Sequence, residues 1–192
     1  MVQDNKNSGK HPLHEKIGEA LTEIINGAAD SKIKLVLDPA CGGKQNLPIF
    51  STAFKSNPTE YCNVDALVLS DEQVKIIIEI EEANIKPTQI CGKYLTSALG
   101  RYFIHVNNEK GQQKNQQVGM SEKVSFIQVL DGSKLERQSK KPDQFRNIEK
   151  SIQDILPVKG SSVHSYKIIF FENADDKERL DRFKKYLLSC LS

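Results

Sequence analysis

The chain of 192 residues contains no tryptophan, only four cysteines, and no apolar run long enough to cross a bilayer. Its densest apolar stretch, Val74 to Ile80, has the length of a strand. The cysteines (Cys41, Cys62, Cys91, Cys190) form no CxxC, and the four histidines (His11, His14, His105, His164) are equally scattered. Zinc-finger spacings are thereby excluded, so reduced, buried thiols and no zinc are expected. One-sided charge is also missing: 27 Lys+Arg against 25 Asp+Glu leave only +2, which rules out a polycationic tail. The opening MVQDNKNSGK lacks the apolar segment of a secretory leader, so a cytoplasmic location with no membrane partner is expected. At 38% hydrophobic and 27% charged, the composition is that of a folded protein. Its length fits one domain over residues 12–192, behind a flexible lead-in at 1–11.

Periodicity gives the order of elements. Pro12 opens a helix with Leu13, Ile17, Leu21, Ile24 and Ile25 on one face, ended by Gly27. A strand over 32–37 follows, then an irregular excursion over 38–61 rich in Pro, Gly, Asn and Ser. Val64–Leu69 and Val74–Glu81 read as a hairpin around Ser70–Gln73. The second of these strands is apolar on both faces, as in a sheet covered by helices on each side. Pro87 opens a helix with Ile90, Tyr94, Leu95, Ala98 and Leu99 inward, closed at Gly100. Residues 103–106 form a strand, 107–119 a polar loop, 123–130 a strand and 131–143 a basic loop. A helix over 144–156, a strand over 166–171 and a helix over 175–191 complete an α/β domain with a mixed sheet.

Chemistry concentrates on the hairpin. Asp65 interrupts an apolar strand, and Glu79 and Glu81 alternate with Ile78 and Ile80, which puts both on one face about 6.6 Å apart. Clustered carboxylates in a buried strand repel one another and lose hydration unless a cation joins them. Hard oxygen ligands suit Mg²⁺ or Mn²⁺. Register sets a condition. A two-residue turn at Asp71-Glu72 pairs Asp65 with Ile78 and sends the carboxylates to opposite faces. Asp65 and Glu79 meet only if the loop has an odd length or the hairpin carries a bulge.

Asp65 followed after thirteen residues by Glu79-Ile80-Glu81 resembles the metal-binding core of the PD-(D/E)XK nuclease superfamily. The resemblance implies a restriction-endonuclease-like fold, with a mixed central sheet flanked by helices on both faces. Val64 stands where the family often has Pro, and Glu81 where Lys is usual, although some restriction enzymes of this fold carry Glu there. The implied activity is Mg²⁺- or Mn²⁺-dependent hydrolysis of DNA phosphodiesters, by a homodimer if both strands are cut. Asp65 and Glu79 would hold metal, while Glu81 binds metal or orients water. On the following helix, Gln89 and Lys93 lie four residues apart and share a face, so Lys93 is a replacement for the missing lysine. The auxiliary glutamate that the family often places on its first helix would be Glu19, whereas Glu82 points to the opposite face and is structural. The rival expectation is a non-catalytic nucleic-acid-binding or regulatory protein that retains the fold.

A second pattern, Leu35-Val36-Leu37-Asp38-Pro39-Ala40-Cys41-Gly42-Gly43, resembles the cofactor-binding motif of adenine-specific DNA methyltransferases. The catalytic tetrapeptide of that family is missing, since Asn57-Pro58-Thr59-Glu60 lacks the second Pro and the aromatic residue. This segment is therefore read as a loop near the site, touching nucleic acid through Gly42, Gly43, Lys44 and Gln45. Lys134, Arg137, Lys140, Lys141, Arg146 and Lys150 form a basic cluster suited to phosphates.

Overall fold

A computed structural model describes residues 11–28, 32–82, 85–109, 112–133 and 140–191. Among these residues, one open, mixed sheet of eight strands carries four α-helices. Its first half comprises β1 (Lys34–Leu37), β4 (Ala66–Ser70), β5 (Gln73–Glu81), the C-terminal part of β7 (Gln112–Asp131) and β8 (Val163–Phe171). β1, β4 and β5 pair antiparallel, while β5, β7 and β8 pair parallel. The N-terminal part of β7 pairs with β6 (Tyr102–Glu109), which continues to β2 (Leu47–Phe50) and β3 (Glu60–Val64). Among the described residues, no helix is long and apolar enough to cross a membrane.

Alternation along the central strands divides the core in two. Ala66, Val68, Ile76, Ile78 and Ile80 pack with Leu13, Ile17 and Leu21 of α1 (Pro12–Gly27) and Phe183 and Leu187 of α4 (Lys177–Leu191). Leu67, Leu69, Val74 and Ile77 pack on the other face with Ile90 and Tyr94 of α2 (Pro87–Leu99) and Phe145 and Ile152 of α3 (Lys141–Asp154). Each fully buried isoleucine on these faces contributes roughly 1.5–3 kcal/mol. Val74 and Ile76 are two residues apart yet face opposite ways. The exception marks a bulge.

The bulge decides the register of the hairpin. Asp71 and Glu72 both have positive φ (49° and 62°) and close a two-residue turn that pairs Ser70 with Gln73 and Leu69 with Val74. The register then shifts, so that Val68 faces Ile76, Leu67 faces Ile77 and Ala66 faces Ile78. Lys75 is the extra residue. The tight turn and the bulge occur together, and the register extended past Ala66 brings Asp65 level with Glu79.

Two polar stretches differ from expectation. Within 38–61, Leu47–Phe50 and Glu60–Val64 are paired strands, and Pro39–Cys41 and Asn57–Thr59 are single 3₁₀ turns. The described residues of the 107–119 stretch, expected as a loop, belong to a long antiparallel arm in which Tyr102 pairs with Gly119 and Glu109 with Gln112. Backbone pairing holds that arm, so its sequence shows little apolar alternation. The third helix starts at Lys141, earlier than expected, with Pro142 in its first turn. All four cysteines are free, but only Cys41 is buried and Cys91 is exposed, which corrects the expectation of uniformly buried thiols. Residues 1–10, Lys134 and Arg137 lie outside the described residues.

Candidate active site

Asp65 sits where the chain changes partners. Residues up to Val64 pair with β2, and from Ala66 onward they pair with β1 and β5. Its amide donates to Ile78 O at 3.2 Å, and its Oδ2 accepts the Ile80 amide at 2.6 Å. The side chain thus takes a backbone donor at the break between β3 and β4 and is held there.

Glu79 and Glu81 point from β5 toward α2, and the helix answers them at matching heights. Four residues of helix rise about 6 Å, close to the ~6.6 Å between alternate strand residues. Gln89 Nε2 donates to Glu81 Oε2 at 3.3 Å, and Lys93 Nζ donates to Glu79 Oε2 at 2.9 Å. Lys93 Nζ is also 3.0 Å from Glu81 Oε1, an ion pair without hydrogen-bond alignment. Glu79 is fully buried, whereas the Lys93 side chain remains 32% exposed, so the site opens to solvent along α2. The structure brings Asp65, Glu79, Glu81, Gln89 and Lys93 together.

Burial pushes the Glu79 carboxyl well above the usual carboxylate range; Lys93 opposes the shift and Asp65 adds to it. Asp65 goes the other way. Burial works against its ionisation, but His14, the Ile80 amide and Lys93 together hold its carboxyl below the ordinary range. Lys93 loses hydration yet is pushed upward by Glu79, Glu81 and Asp65, so it stays an ammonium.

These donors fit a hard divalent cation. Among the described residues, Glu79 Oε1 is buried without a hydrogen-bond partner, close to the Asp65 carboxylate. An orphaned carboxylate oxygen in a low-dielectric setting is costly unless a cation meets it. Asp65 and Glu79, with Glu81 beside them, could hold Mg²⁺ or Mn²⁺.

The first helix reaches the site through a residue that spacing did not single out. His14 Nε2 lies 3.7 Å from Asp65 Oδ1, and its Nδ1 lies 2.9 Å from Glu82 Oε2. Burial lowers the affinity of His14 for a proton, but Asp65 and Glu82 outweigh it and raise the imidazole above its ordinary value. The available signal was a histidine beside the apolar stripe Leu13–Ile17–Leu21. Glu19, expected as the auxiliary acid, is exposed, in a cleft with Gly18, Leu37, Cys41 and Gly42. The α1 side chain at Asp65 is His14.

The Asp38–Gly43 segment is a brace. Asp38 accepts the Cys41 amide at 3.0 Å, and its own amide donates to Asp65 O at 3.0 Å. A Cβ on Gly18 would lie 2.1 Å from Cys41 O, so α1 packs on this turn through Gly18, and one on Gly43 would lie 1.7 Å from Leu37 O, so the turn folds back on the end of β1 through Gly43. Burial raises the Asp38 carboxyl, Asp65 adds to the rise, and the Cys41 amide opposes it.

The described residues of the expected basic set lie on two parts of the chain, the segment before β2 and the start of α3. Lys44 is exposed in a cleft of about 480 Å³ with Gln45, Lys55, Asn63 and His105. Lys140 is exposed before α3, and Lys141 Nζ donates to Ile85 O at 3.3 Å, joining α3 to the segment before α2. Arg146 is exposed and pairs with Asp143 at 2.6 Å.

No family model, curated protein or solved structure matches this chain.

Proposed function

We propose that the chain is a metal-dependent DNA endonuclease of the PD-(D/E)XK, restriction-endonuclease-like type. The observation that carries this reading is Lys93, 2.9 Å from Glu79 and 3.0 Å from Glu81, on the hairpin that also presents Asp65. A cation is thereby returned to a motif whose third position is Glu81.

Asp65, Glu79 and Glu81 bind and orient the divalent ion. When bound, Mg²⁺ or Mn²⁺ supplies Lewis acidity to the scissile phosphate and lowers the pKa of a water nucleophile. Lys93 holds the buried carboxylates together and offers a positive charge toward the developing phosphorane. Gln89 fixes Glu81, leaving its other oxygen to face Lys93. Asp65 is kept ionised by the Ile80 amide and His14, so it is ready to ligate at neutral pH. Lys44, Lys140 and Arg146 supply phosphate contacts outside the reacting centre, and a second copy of the chain would cut the complementary strand.

The test uses purified protein, duplex DNA and Mg²⁺ or Mn²⁺. Cleavage that disappears in Asp65→Ala and Glu79→Ala is expected. Binding by the unmutated protein without cleavage would point instead to a non-catalytic DNA-binding role.

A further inference from the structure

On the α1 side of the sheet, a second group of ligating side chains surrounds Glu82. Period two puts Glu82 on the face opposite Glu79 and Glu81, and there its Oε1 accepts the Leu13 amide at the start of α1. That bond alone satisfies a free donor of the helix. The other oxygen does more. Glu82 Oε2 lies 3.0 Å from His11 Nδ1 and 2.9 Å from His14 Nδ1. Three ligand atoms, two imidazole nitrogens and a carboxylate oxygen, lie within 4.8 Å of one another.

We infer that His11, His14 and Glu82 form a binding site for a borderline divalent cation of the Zn²⁺ or Co²⁺ class, separate from the Asp65–Glu79–Glu81 carboxylates. Two imidazoles with one carboxylate favour such ions over Mg²⁺, which prefers an all-oxygen shell. Tetrahedral ligands at about 2.0–2.1 Å from zinc stand about 3.3 Å apart, so each nitrogen need retreat from Oε2 by only a few tenths of an ångström, while the two nitrogens, within 4.8 Å of each other, settle at the same spacing. His11 and His14 are three residues apart at the first turn of α1 and so lie on one side. The His11 side chain is 53% exposed and Glu82 only 8%, which leaves one approach for the ion and a fourth position for water.

The two centres share His14. With Nδ1 on the ion, the ring proton resides on Nε2, the nitrogen facing Asp65. A carboxylate behind a metal-bound histidine fixes its tautomer and orientation. The ion would also tie the start of α1 to the end of β5. Spacing hides the site, because Glu82 is 68 residues from His14.

The test titrates full-length protein with zinc chloride in a calorimeter, in excess Mg²⁺ so that the Asp65–Glu79–Glu81 carboxylates are already occupied. One Zn²⁺ per chain is expected, with affinity lowered at least ~10-fold in His11→Ala and in Glu82→Gln and unchanged in Glu79→Ala. His11 is solvent-facing, and Glu82→Gln keeps an acceptor for the Leu13 amide, so both variants should retain the fold, with circular dichroism as the check. No zinc uptake, uptake indifferent to both substitutions, or uptake lost in Glu79→Ala would overturn the inference. Because the readout is binding, failure of DNA cleavage leaves this test untouched.

Discussion

Lys93 Nζ donates to Glu79 Oε2 across 2.9 Å, from a helix that begins after the strand carrying Glu79 has ended. The pair places a permanent cation against a fully buried carboxylate, with Glu81 and Asp65 close by. Removing Lys93 would leave the buried Glu79 charge uncompensated, whereas without the Glu79 charge Lys93 keeps Glu81 at 3.0 Å.

Glu79 is therefore a liability in the metal-free protein. Its folded-state pKa is raised, mainly by burial, so the folded state binds the proton more tightly than the unfolded one. The resulting penalty is absent below the unfolded carboxylate pKa and grows as pH rises toward the folded value. Glu79→Gln should raise the melting temperature at pH 8, by about 2–4 °C for each kcal/mol relieved, and change it little at pH 4. Thermal melts in chelator at the two pH values check this, and destabilisation at pH 8 contradicts it.

Divalent ions should stabilise the same site. An ion at a hundred times its dissociation constant adds about 2.7 kcal/mol, or roughly 5–10 °C in a chain of this size. Melts of the unmodified protein should rise with Mg²⁺, and those of Asp65→Ala should stay flat. A rise of equal size in both would place the ion elsewhere.

His14 titrates in the opposite sense to Asp65. Its folded pKa is raised, so its contribution is complete below about pH 6.5 and is lost as pH rises through the folded value. The gap in stability between the unmodified protein and His14→Gln should be widest near pH 6 and narrow toward pH 9. Chemical denaturation across that range, in chelator, measures it; a gap that widens with pH would be inconsistent with His14 as a cation between Asp65 and Glu82.

Lys75 sets where the carboxylates point. Deleting it leaves the two-residue turn at Asp71-Glu72 without its bulge, so Ile76 to Glu82 must exchange faces or the turn must open. The deletion should abolish Mg²⁺-dependent stabilisation and cost several kcal/mol through misplaced core isoleucines. A folded deletion variant that still responds to Mg²⁺ would refute the register argument.

Much of this site was legible in sequence because its elements are local and periodic. Glu79 and Glu81 share a face by strand period, Gln89 and Lys93 by helix period, and the two rises match. The bulge was legible only as a condition, since nothing in the type of Lys75 announces an extra residue. The contact between His14 and Glu82 escaped because the two residues are 68 positions apart in sequence. Leu47–Phe50 and the 107–109 and 112–119 parts of the arm were missed for another reason. Their backbones pair in a sheet while Pro, Asn and Gln residues carry little apolar alternation, with residues 114–117 exposed to solvent.

The central claim is that Lys93 supplies the cation that position 81 lacks. Its most direct measurement is the single-turnover rate of plasmid nicking in Mg²⁺ by the unmodified protein and by Lys93→Ala, with folding checked by circular dichroism. The unmodified protein should nick, and Lys93→Ala should be slower by about 10²–10³-fold, the scale for losing one preorganised electrostatic donor. Nicking at equal rates by both proteins would contradict the account.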